Sequence, residues 1–287
     1  DALNQTYQNN IQLNAERESL KASEEDVNIS KANYKPSLTL SGSKSQEDTN
    51  KLTNQSGGNA TITDVDPFTA SIKLEQTILD FGRGLELKKS ITGLDLAKAK
   101  LIKKEQDVLH SAIDAYSNLI LAREKHDINE KNLNLLNRQV ENDKIRLDRG
   151  QITIADLAQS ESSLAGAQAQ FTQAKSDLLI AKLTYENIIG KIADPDQLKK
   201  NSNAIVSIPT TLSEAINLSK QNNPDIKIAK FDLAQSEKDL AISKSDLAPT
   251  ASLSLERSYA DDVSSTIDER EKDILKATVS WPFYSGG

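Results

Sequence analysis

Four short segments alternate apolar and polar residues with a period of two. Each predicts a β-strand with one apolar and one polar face. Two of the segments begin just after Pro36 and Pro249, which disfavour helix at the residue before them. The apolar positions are Leu38 and Leu40; Phe68, Ala70, Ile72 and Leu74; Ala251, Leu253 and Leu255; and Leu275, Ala277, Val279, Trp281 and Phe283. The alternation alone fits a sheet over a soluble core or a sheet in a membrane.

The strands of each pair are separated by polar segments, residues 44–66 and 258–272, which predict long surface loops. The first of them contains Gly57 and Gly58. The second strand of each pair ends in a glycine-containing sequence, Asp80–Gly84 or Phe283–Gly287. Glycines at these places would let the chain bend from strand to helix.

A long helical hairpin is predicted over residues 82–190, where apolar residues recur every seven positions. The turn is expected at 148–152, followed by a capping box formed by Thr153 and Asp156. An incoming helix of roughly 60 residues would be about 90 Å long at 1.5 Å per residue. The seam positions are Ala112, Leu119, His126, Leu133, Val140 and Leu147, then Leu157, Leu164, Phe171, Leu178 and Tyr185 with Ser160, Ala167, Ala174, Ala181 and Ile188.

The chain contains an internal duplication with an offset of 213 residues. About 15 of the 42 residues in 1–42 are identical to their counterparts in 214–255, which indicates one structural unit used twice. Each copy reads as a helix followed by a strand pair. The predicted organisation is helix 1–35, strand pair 36–81, hairpin 82–190, linker 191–210, helix 211–247 and strand pair 248–287.

Composition narrows the function classes. The chain has 287 residues, no Cys, a hydrophobic share of 37% and a net charge of −7. The absence of Cys excludes disulfides and thiolate chemistry, and the acidic balance argues against a nucleic-acid partner. No apolar run is long enough for a transmembrane helix. Because the chain also lacks Met, we expect that Asp1 is not the translational start.

The order of these elements resembles the TolC family of outer-membrane factors. The residues that carry the resemblance are Pro36–Leu40, Gln76–Gly82, Gly150–Leu157 and Trp281–Gly287. It implies a mainly α protein with β: a coiled-coil α-barrel, and four strands per chain in a 12-stranded transmembrane β-barrel shared by a homotrimer. It also implies a passive exit duct for efflux or type I secretion, located in the outer membrane with a long periplasmic extension. Outer-membrane lipid, a periplasmic adaptor and an inner-membrane transporter would be its partners. The family's second hairpin is expected to follow, so the chain reads as an N-terminal fragment.

The resemblance also assigns sites. Near the hairpin turn, Arg149, Gly150, Thr153 and Asp156 would form the periplasmic tip that docks the adaptor and closes the channel. Asp156 can instead serve only as a helix cap, and Gly150 only as a turn glycine. The lumen-facing strand residues would be Thr69, Ser71, Lys73, Glu75, Ser252 and Glu256. The lipid-facing ones would be Phe68, Ile72, Leu74, Leu253, Leu255, Val279 and Trp281.

Other readings remain at this point. A periplasmic coiled-coil adaptor also carries a long hairpin, but it predicts a single β-rich module rather than a duplicated unit. A soluble secreted coiled-coil protein predicts no lipid-facing strands. His110 and His126 have no further ligand at a recognised metal spacing, so no metal site is expected. No catalytic arrangement or cofactor-binding motif is found, so we expect no enzyme and no cofactor.

Overall fold

The computed structural model describes residues 2–46, 52–53, 61–62, 66–191, 198–199, 209–264 and 267–284. Gly57, Gly58, Pro195 and the terminal residues 285–287 lie outside these ranges. In chain order the elements are α1 (Ala2–Asn9), α2 (Ile11–Ala32), β1 (Ser37–Lys44), β2 (Leu52–Thr53), β3 (Thr61–Ile62), β4 (Phe68–Leu79), α3 (Arg83–Asp148), α4 (Ile154–Ile188), α5 (Leu212–Asn222), α6 (Pro224–Ser245), β5 (Thr250–Ser264) and β6 (Ile267–Ser280).

Two compact units share these elements. The first comprises Asp1–Leu20 and Lys98–Ile226, and the second comprises Lys21–Ala97 and Lys227–Gly287. Helices α2, α3 and α6 contribute residues to both units. The division therefore does not follow the boundaries of the duplicated sequence, because α2, α3 and α6 each contribute residues to both units.

The second unit contains a four-stranded antiparallel sheet in the order β1-β4-β5-β6. All four predicted strands are present, and both prolines directly precede a strand, as expected. The register aligns one leucine from every strand: Leu74 lies opposite Leu38 and Leu255, and Leu255 lies opposite Leu275. Since paired residues share a face, the leucines form a continuous apolar row across the sheet.

The prediction of a long loop over residues 258–272 is wrong. Strand β5 continues to Ser264 and β6 begins at Ile267, so most of that segment is paired ribbon. Its residues are charged on both faces, and the sequence reading took the lack of apolar residues for a loop. Cross-strand ion pairs stabilise such a ribbon, as between Arg257 and Glu271 at 3.2 Å.

The first unit contains the hairpin of α3 and α4, and its seam confirms the predicted seven-residue repeat. On α3 the positions Ala112, Leu119, Leu133 and Val140 are all buried. On α4 the buried positions are mainly small ones, which permits close approach of the two helices: Ser160, Ala167, Ala174 and Tyr185. A compact cluster at the base of the hairpin combines both helices: Ala112, Ala115, Leu119, Tyr185 and Ile189.

The first helix of each copy is interrupted, which corrects the expectation of single helices over 1–35 and 211–247. The breaks fall at Asn10 and Asn223, which are equivalent residues in the duplication. In each case the side-chain Oδ1 accepts an amide N–H of the following helix, from Leu13 at 3.1 Å and from Asp225 at 2.7 Å. An asparagine that caps a new helix favours a break over an uninterrupted helix. The duplication therefore extends to the position of the break.

Among the described residues, no helix combines the length and the apolar character needed to cross a membrane.

Candidate functional site

The apolar face of the sheet is exposed in the single chain. Six of the seven residues predicted to face lipid lie together on this face, with exposed fractions from 39% to 74%: Phe68, Ile72, Leu74, Leu253, Leu255 and Val279. Leu38, Leu40 and Leu275 extend the same face and are exposed by 67%, 80% and 71%. Nothing within the described part of the chain covers this surface.

The polar face carries all six residues predicted to face a lumen: Thr69, Ser71, Lys73, Glu75, Ser252 and Glu256. Five of the six are half-buried, and Thr69 is exposed. Lys73 Nζ lies 2.7 Å from Glu75 Oε2, and the register places Lys73 directly opposite Glu256. Opposite charges at neighbouring positions partly shield each other from solvent while remaining hydrated.

An exposed apolar face is the opposite of what a sheet in a water-soluble domain shows, where the apolar face packs on the core. A contiguous exposed apolar surface marks contact with a protein or a membrane. The polar face, in contrast, offers hydroxyl and charged groups suited to a water-filled space. The sheet can thus separate an apolar environment from an aqueous one.

On β5 and β6 the apolar character of the exposed face ends at a definite row, whereas on β4 it continues to Phe68, opposite Asp261. Next to the leucine row, Ile72 lies opposite Arg257, which lies opposite Asp273. Arg257 also approaches two carboxylates, with 3.2 Å to Glu271 and 3.8 Å to Asp273. Sequence reasoning missed this boundary because it treated the charged residues as a loop. The charged residues keep the alternation with a period of two, and this alternation was the signal that could have identified them as strands.

Trp281, the seventh residue predicted to face lipid, lies beyond the strand. Strand β6 ends at Ser280, so the predicted strand that included Trp281 and Phe283 is too long. The Trp281 indole N–H donates to the Leu247 carbonyl at 3.1 Å, and its ring meets Phe283 edge-on at 5.9 Å between centroids. That hydrogen bond binds the end of β6 to the chain that leaves α6. Proline at position 282 then prevents further ladder pairing.

The junction between β4 and α3 is organised by a residue that sequence reasoning missed. Arg83 is only 8% exposed, and its Nη1 donates to the carbonyls of Asn33 at 3.0 Å and Thr77 at 3.1 Å. Its guanidinium carbon lies 4.6 Å from the centre of the Tyr34 ring. The contacts join the end of α2, the end of β4 and the start of α3. Only tertiary structure brings these segments together, so no local pattern identified Arg83.

Gly82 in the same junction allows close approach rather than an unusual turn. A Cβ at this position would lie 2.9 Å from the Ser245 hydroxyl oxygen. The start of α3 is capped by Asp80, whose Oδ1 accepts the N–H groups of Gly82 at 2.8 Å and Arg83 at 3.2 Å.

The turn between α3 and α4 is centred on Gly150. This residue has φ 69°, in the left-handed region that favours glycine. Its N–H donates to the Leu147 carbonyl at 2.8 Å, and the next N–H, of Gln151, donates to Arg146 at 2.8 Å. These bonds satisfy the last carbonyls of α3. Arg149 is exposed beside them.

The capping box predicted at the start of α4 is confirmed. The Asp156 N–H donates to Thr153 Oγ1 at 3.2 Å, while Asp156 Oδ2 accepts the Thr153 N–H at 2.8 Å and the Thr153 hydroxyl at 2.7 Å. These hydrogen bonds from Thr153, and the nearby charge of Arg146, hold the pKa of Asp156 below its ordinary value. The carboxylate is exposed and charged at neutral pH, so it both caps the helix and presents a negative charge at the tip.

Among the described residues, one group that contains a histidine has ligand atoms close enough to consider for a metal ion. Atoms of His126, Asp127 and Glu130 lie within 4.8 Å of one another. Both carboxylates are exposed, and the His126 ring packs against Phe171 with 5.3 Å between centroids. Seam packing accounts for the position of the ring, and exposed carboxylates of this kind are common on helices without an ion. We assign no metal centre to them.

Comparison with known families decides between an outer-membrane factor, a periplasmic adaptor and a secreted coiled-coil protein. The family model described as "Outer membrane efflux protein" matches residues 2–191, about two thirds of the chain. The chain belongs to the outer membrane efflux protein family. Its match covers the first helices, the first strand pair and the hairpin, which confirms the resemblance drawn from the sequence.

Two relatives in this family align over the whole chain. Outer membrane efflux protein BepC of Brucella suis is 28% identical over 291 residues, covering 100% of this chain and 60% of that protein. Proteases secretion protein PrtF of Dickeya chrysanthemi is 23% identical over 297 residues, covering 100% of this chain and 64% of that protein. The chain therefore spans less than two thirds of the length of either relative.

Solved structures show the same fold. The outer membrane channel CmeC of Campylobacter jejuni superposes with a TM-score of 0.78 at 17% identity, over 100% of this chain and 61% of that chain. The open state of the MtrE channel of Neisseria gonorrhoeae gives a TM-score of 0.69 at 15% identity, over 100% and 63%. The mainly helical fold with four antiparallel strands is thus that of part of a TolC-like channel.

Proposed function

We propose that the full-length protein is a trimeric exit duct of the outer membrane, through which substrates leave the cell passively. The observation that carries the proposal is the exposed apolar face of a four-stranded sheet whose opposite face carries hydroxyl and charged groups. In a member of the outer membrane efflux protein family, a membrane accounts for the first face and a water-filled lumen for the second.

The open edges of the sheet support assembly with other chains. Strands β1 and β6 each pair on one side only within the described part of the chain. In a lipid environment, unpaired backbone groups at such edges are costly, so only closed sheets span membranes. Three copies with four strands each would close a 12-stranded barrel, with β1 of one copy beside β6 of the next. Trimerisation is therefore part of the proposed function.

In this proposal the row of Arg257 and Asp273 marks one limit of the lipid-covered surface on β5 and β6, because charges on a lipid face become tolerable toward the interface. The ribbon beyond it, which includes Glu271 opposite Tyr259, then lies in water outside the cell. The opposite limit lies near Trp281, since aromatic rings with a polar group favour membrane interfaces.

The proposal also gives the hairpin tip a role in the duct. Arg149, Gly150, Thr153 and Asp156 form an exposed turn with both charges available to a partner. We assign to this turn the contact with a periplasmic adaptor and the closure of the channel between neighbouring chains. An inner-membrane transporter, reached through the adaptor, would supply the energy. The capping role of Asp156 is compatible with both assignments.

The relatives suggest two classes of cargo. One is named for efflux and another for secretion of proteases. A continuous aqueous duct serves either class, because the pump rather than the duct drives transport. The proposal includes no catalytic step and no cofactor.

The test uses the full-length protein. Cells are fractionated, the membranes are extracted in mild detergent, and the mass of the extracted particle is measured and its conductance recorded in planar lipid bilayers. We expect a trimer in the outer-membrane fraction that forms long-lived pores. A soluble monomer, or a particle confined to the inner membrane, would refute the duct.

A further inference from the structure

A buried carboxylate occupies a seam position of the hairpin close to its tip. Asp143 lies three residues after Val140, at the second seam position of α3, and is only 8% exposed. Charged residues are rarely buried to this extent without partners. Sequence reasoning missed Asp143 because a charged residue in a helix is ordinarily assigned to the solvated face.

Both carboxylate oxygens of Asp143 have partners. Across the seam, the Ser160 hydroxyl donates to Oδ2 at 2.7 Å, and Ser160 is itself only 8% exposed. On the same helix, Arg146 Nη1 donates to Oδ1 at 3.2 Å, while the Arg146 side chain remains 53% exposed. The hydrogen bond to Ser160 is therefore the buried polar contact that joins α3 to α4 near the tip.

The apolar layers of the seam do not select one alignment strongly. Leucine, valine and alanine side chains pack by volume, and their seven-residue repeat allows one helix to slide along the other with similar contacts. A shift of α4 by one turn would place Leu157 or Leu164 beside Asp143, and a shift by one heptad would place Ala167 there or, in the other direction, Thr153, whose hydroxyl already donates to Asp156. Leucine and alanine side chains cannot donate a hydrogen bond, so the buried carboxylate would lose its partner across the seam.

Packing beyond this layer is thin. Leu147 and Leu157 are only half-buried, and Ile154 is 77% exposed. The turn at 149–153 therefore has little apolar contact of its own to fix it. Buried polar pairs of this kind are known to specify register in coiled coils.

We propose that the Asp143–Ser160 hydrogen bond sets the register of the hairpin and thereby positions the tip. Asp143 and Ser160 are positioning residues, which act through the placement of Arg149 and Asp156. This inference rests on the proposed function only for the consequence of a displaced tip. The register itself is a property of the hairpin, whatever partner it meets.

The register can be measured by cross-linking in the assembled full-length protein, in a cysteine-free background. Lys144 Nζ lies 3.4 Å from Glu161 Oε1 across the hairpin, so cysteines at 144 and 161 report the native register. Cysteines at 144 and 158, or at 144 and 165, report a shift of one turn, about 5.4 Å along the helix. A short bifunctional maleimide is the probe.

We expect Ser160→Ala and Asp143→Ala to lower the ratio of native to shifted cross-links by about tenfold, as the loss of one buried hydrogen bond predicts. Ser163→Ala is the matched control, since Ser163 is exposed and bonds only to Gln159 of its own helix, and it should leave the ratio unchanged. Asp143→Asn keeps an acceptor for Ser160 and should largely retain the native ratio. It also covers the case in which Asp143→Ala fails to fold.

A native ratio in Ser160→Ala that equals that of Ser163→Ala would overturn the proposal. A second readout links register to function: in planar bilayers, Ser160→Ala should raise the closed-state conductance relative to Ser163→Ala. If the unaltered protein forms no pore, the proposed function fails, while the cross-linking result still decides the register. If the register shifts and the conductance does not, the tip-positioning part of the proposal is refuted.

Discussion

The sheet and the hairpin differ in the exposure of their apolar residues: the hairpin buries them, and the sheet exposes them on one face. In the hairpin, the large apolar side chains at the seam of α3 are covered, and Leu119 is only 2% exposed. In the sheet, the leucines that align across all four strands are uncovered, and Leu255 is 52% exposed. One chain therefore buries its apolar residues in one unit, as a water-soluble protein does, and exposes them on one face of the sheet in the other. The contrast with the hairpin singles out the apolar face of the sheet as the surface that needs a partner outside the single chain.

The largest effect is expected at the seam of the hairpin, where the apolar side chains are buried. Leu119→Ala should destabilise the hairpin by about 2–5 kcal/mol, because it removes buried apolar volume and leaves a cavity. Leu121→Ala is the control, since Leu121 is 48% exposed on the same helix, and should cost well under about 1 kcal/mol. Protection of hairpin amides from hydrogen exchange measures both. Equal losses for the two variants would contradict the assigned seam.

The sheet should respond to charge on one face only. Leu255→Arg is expected to cost about 2–4 kcal/mol per chain, as for a cation placed on the lipid side of a membrane strand. Ser254→Arg introduces the same group on the neighbouring, polar face and should be tolerated. The amount of detergent-resistant oligomer in the outer membrane measures the effect. A large loss for Ser254→Arg with none for Leu255→Arg would reverse the assignment of the faces.

A smaller effect is expected at the hairpin tip, where surface exposure limits each interaction. Thr153→Ala removes one capping side chain and should destabilise the start of α4 by about 1 kcal/mol. Thr153→Ser keeps the hydroxyl and serves as the control. Hydrogen exchange of the first-turn amides of α4 provides the measurement. Unchanged exchange in Thr153→Ala would show that the cap contributes nothing.

The smallest effect concerns pH. Because the folded pKa of Asp156 lies below its unfolded value, its stabilising contribution is present above the unfolded pKa. The contribution is lost as the pH falls through the folded pKa. The start of α4 should therefore lose protection on acidification in that window, whereas Asp156→Asn should show no such step. A step that persists in Asp156→Asn would assign the titration to another group.

The parts of the fold that could be predicted from the sequence are those with a local period. The seam of the hairpin, the capping box of Thr153 and Asp156 and the strand alternation around Leu74 and Leu255 all follow from the spacing of residues within one element. They needed no knowledge of the neighbours.

The parts that were missed depend on partners far away in the chain. Arg83 is buried because α2 and β4 supply carbonyl acceptors to it. Asp143 is buried because Ser160, 17 residues later, supplies a hydroxyl. The ribbon of residues 258–272 was read as a loop because its alternating residues are charged rather than apolar. The division of the sheet into lumen and lipid faces remains a prediction.

The central claim, that the two faces of the sheet meet lipid and water, can be tested by cysteine labelling in native membranes. The chain contains no cysteine, so Ser254→Cys and Leu255→Cys place adjacent thiols on opposite faces. The full-length variants, free of other cysteines, are exposed to a water-soluble maleimide in intact outer membranes. We predict rapid labelling at position 254 and protection at position 255. Labelling of position 255 at the rate of position 254 would contradict the account.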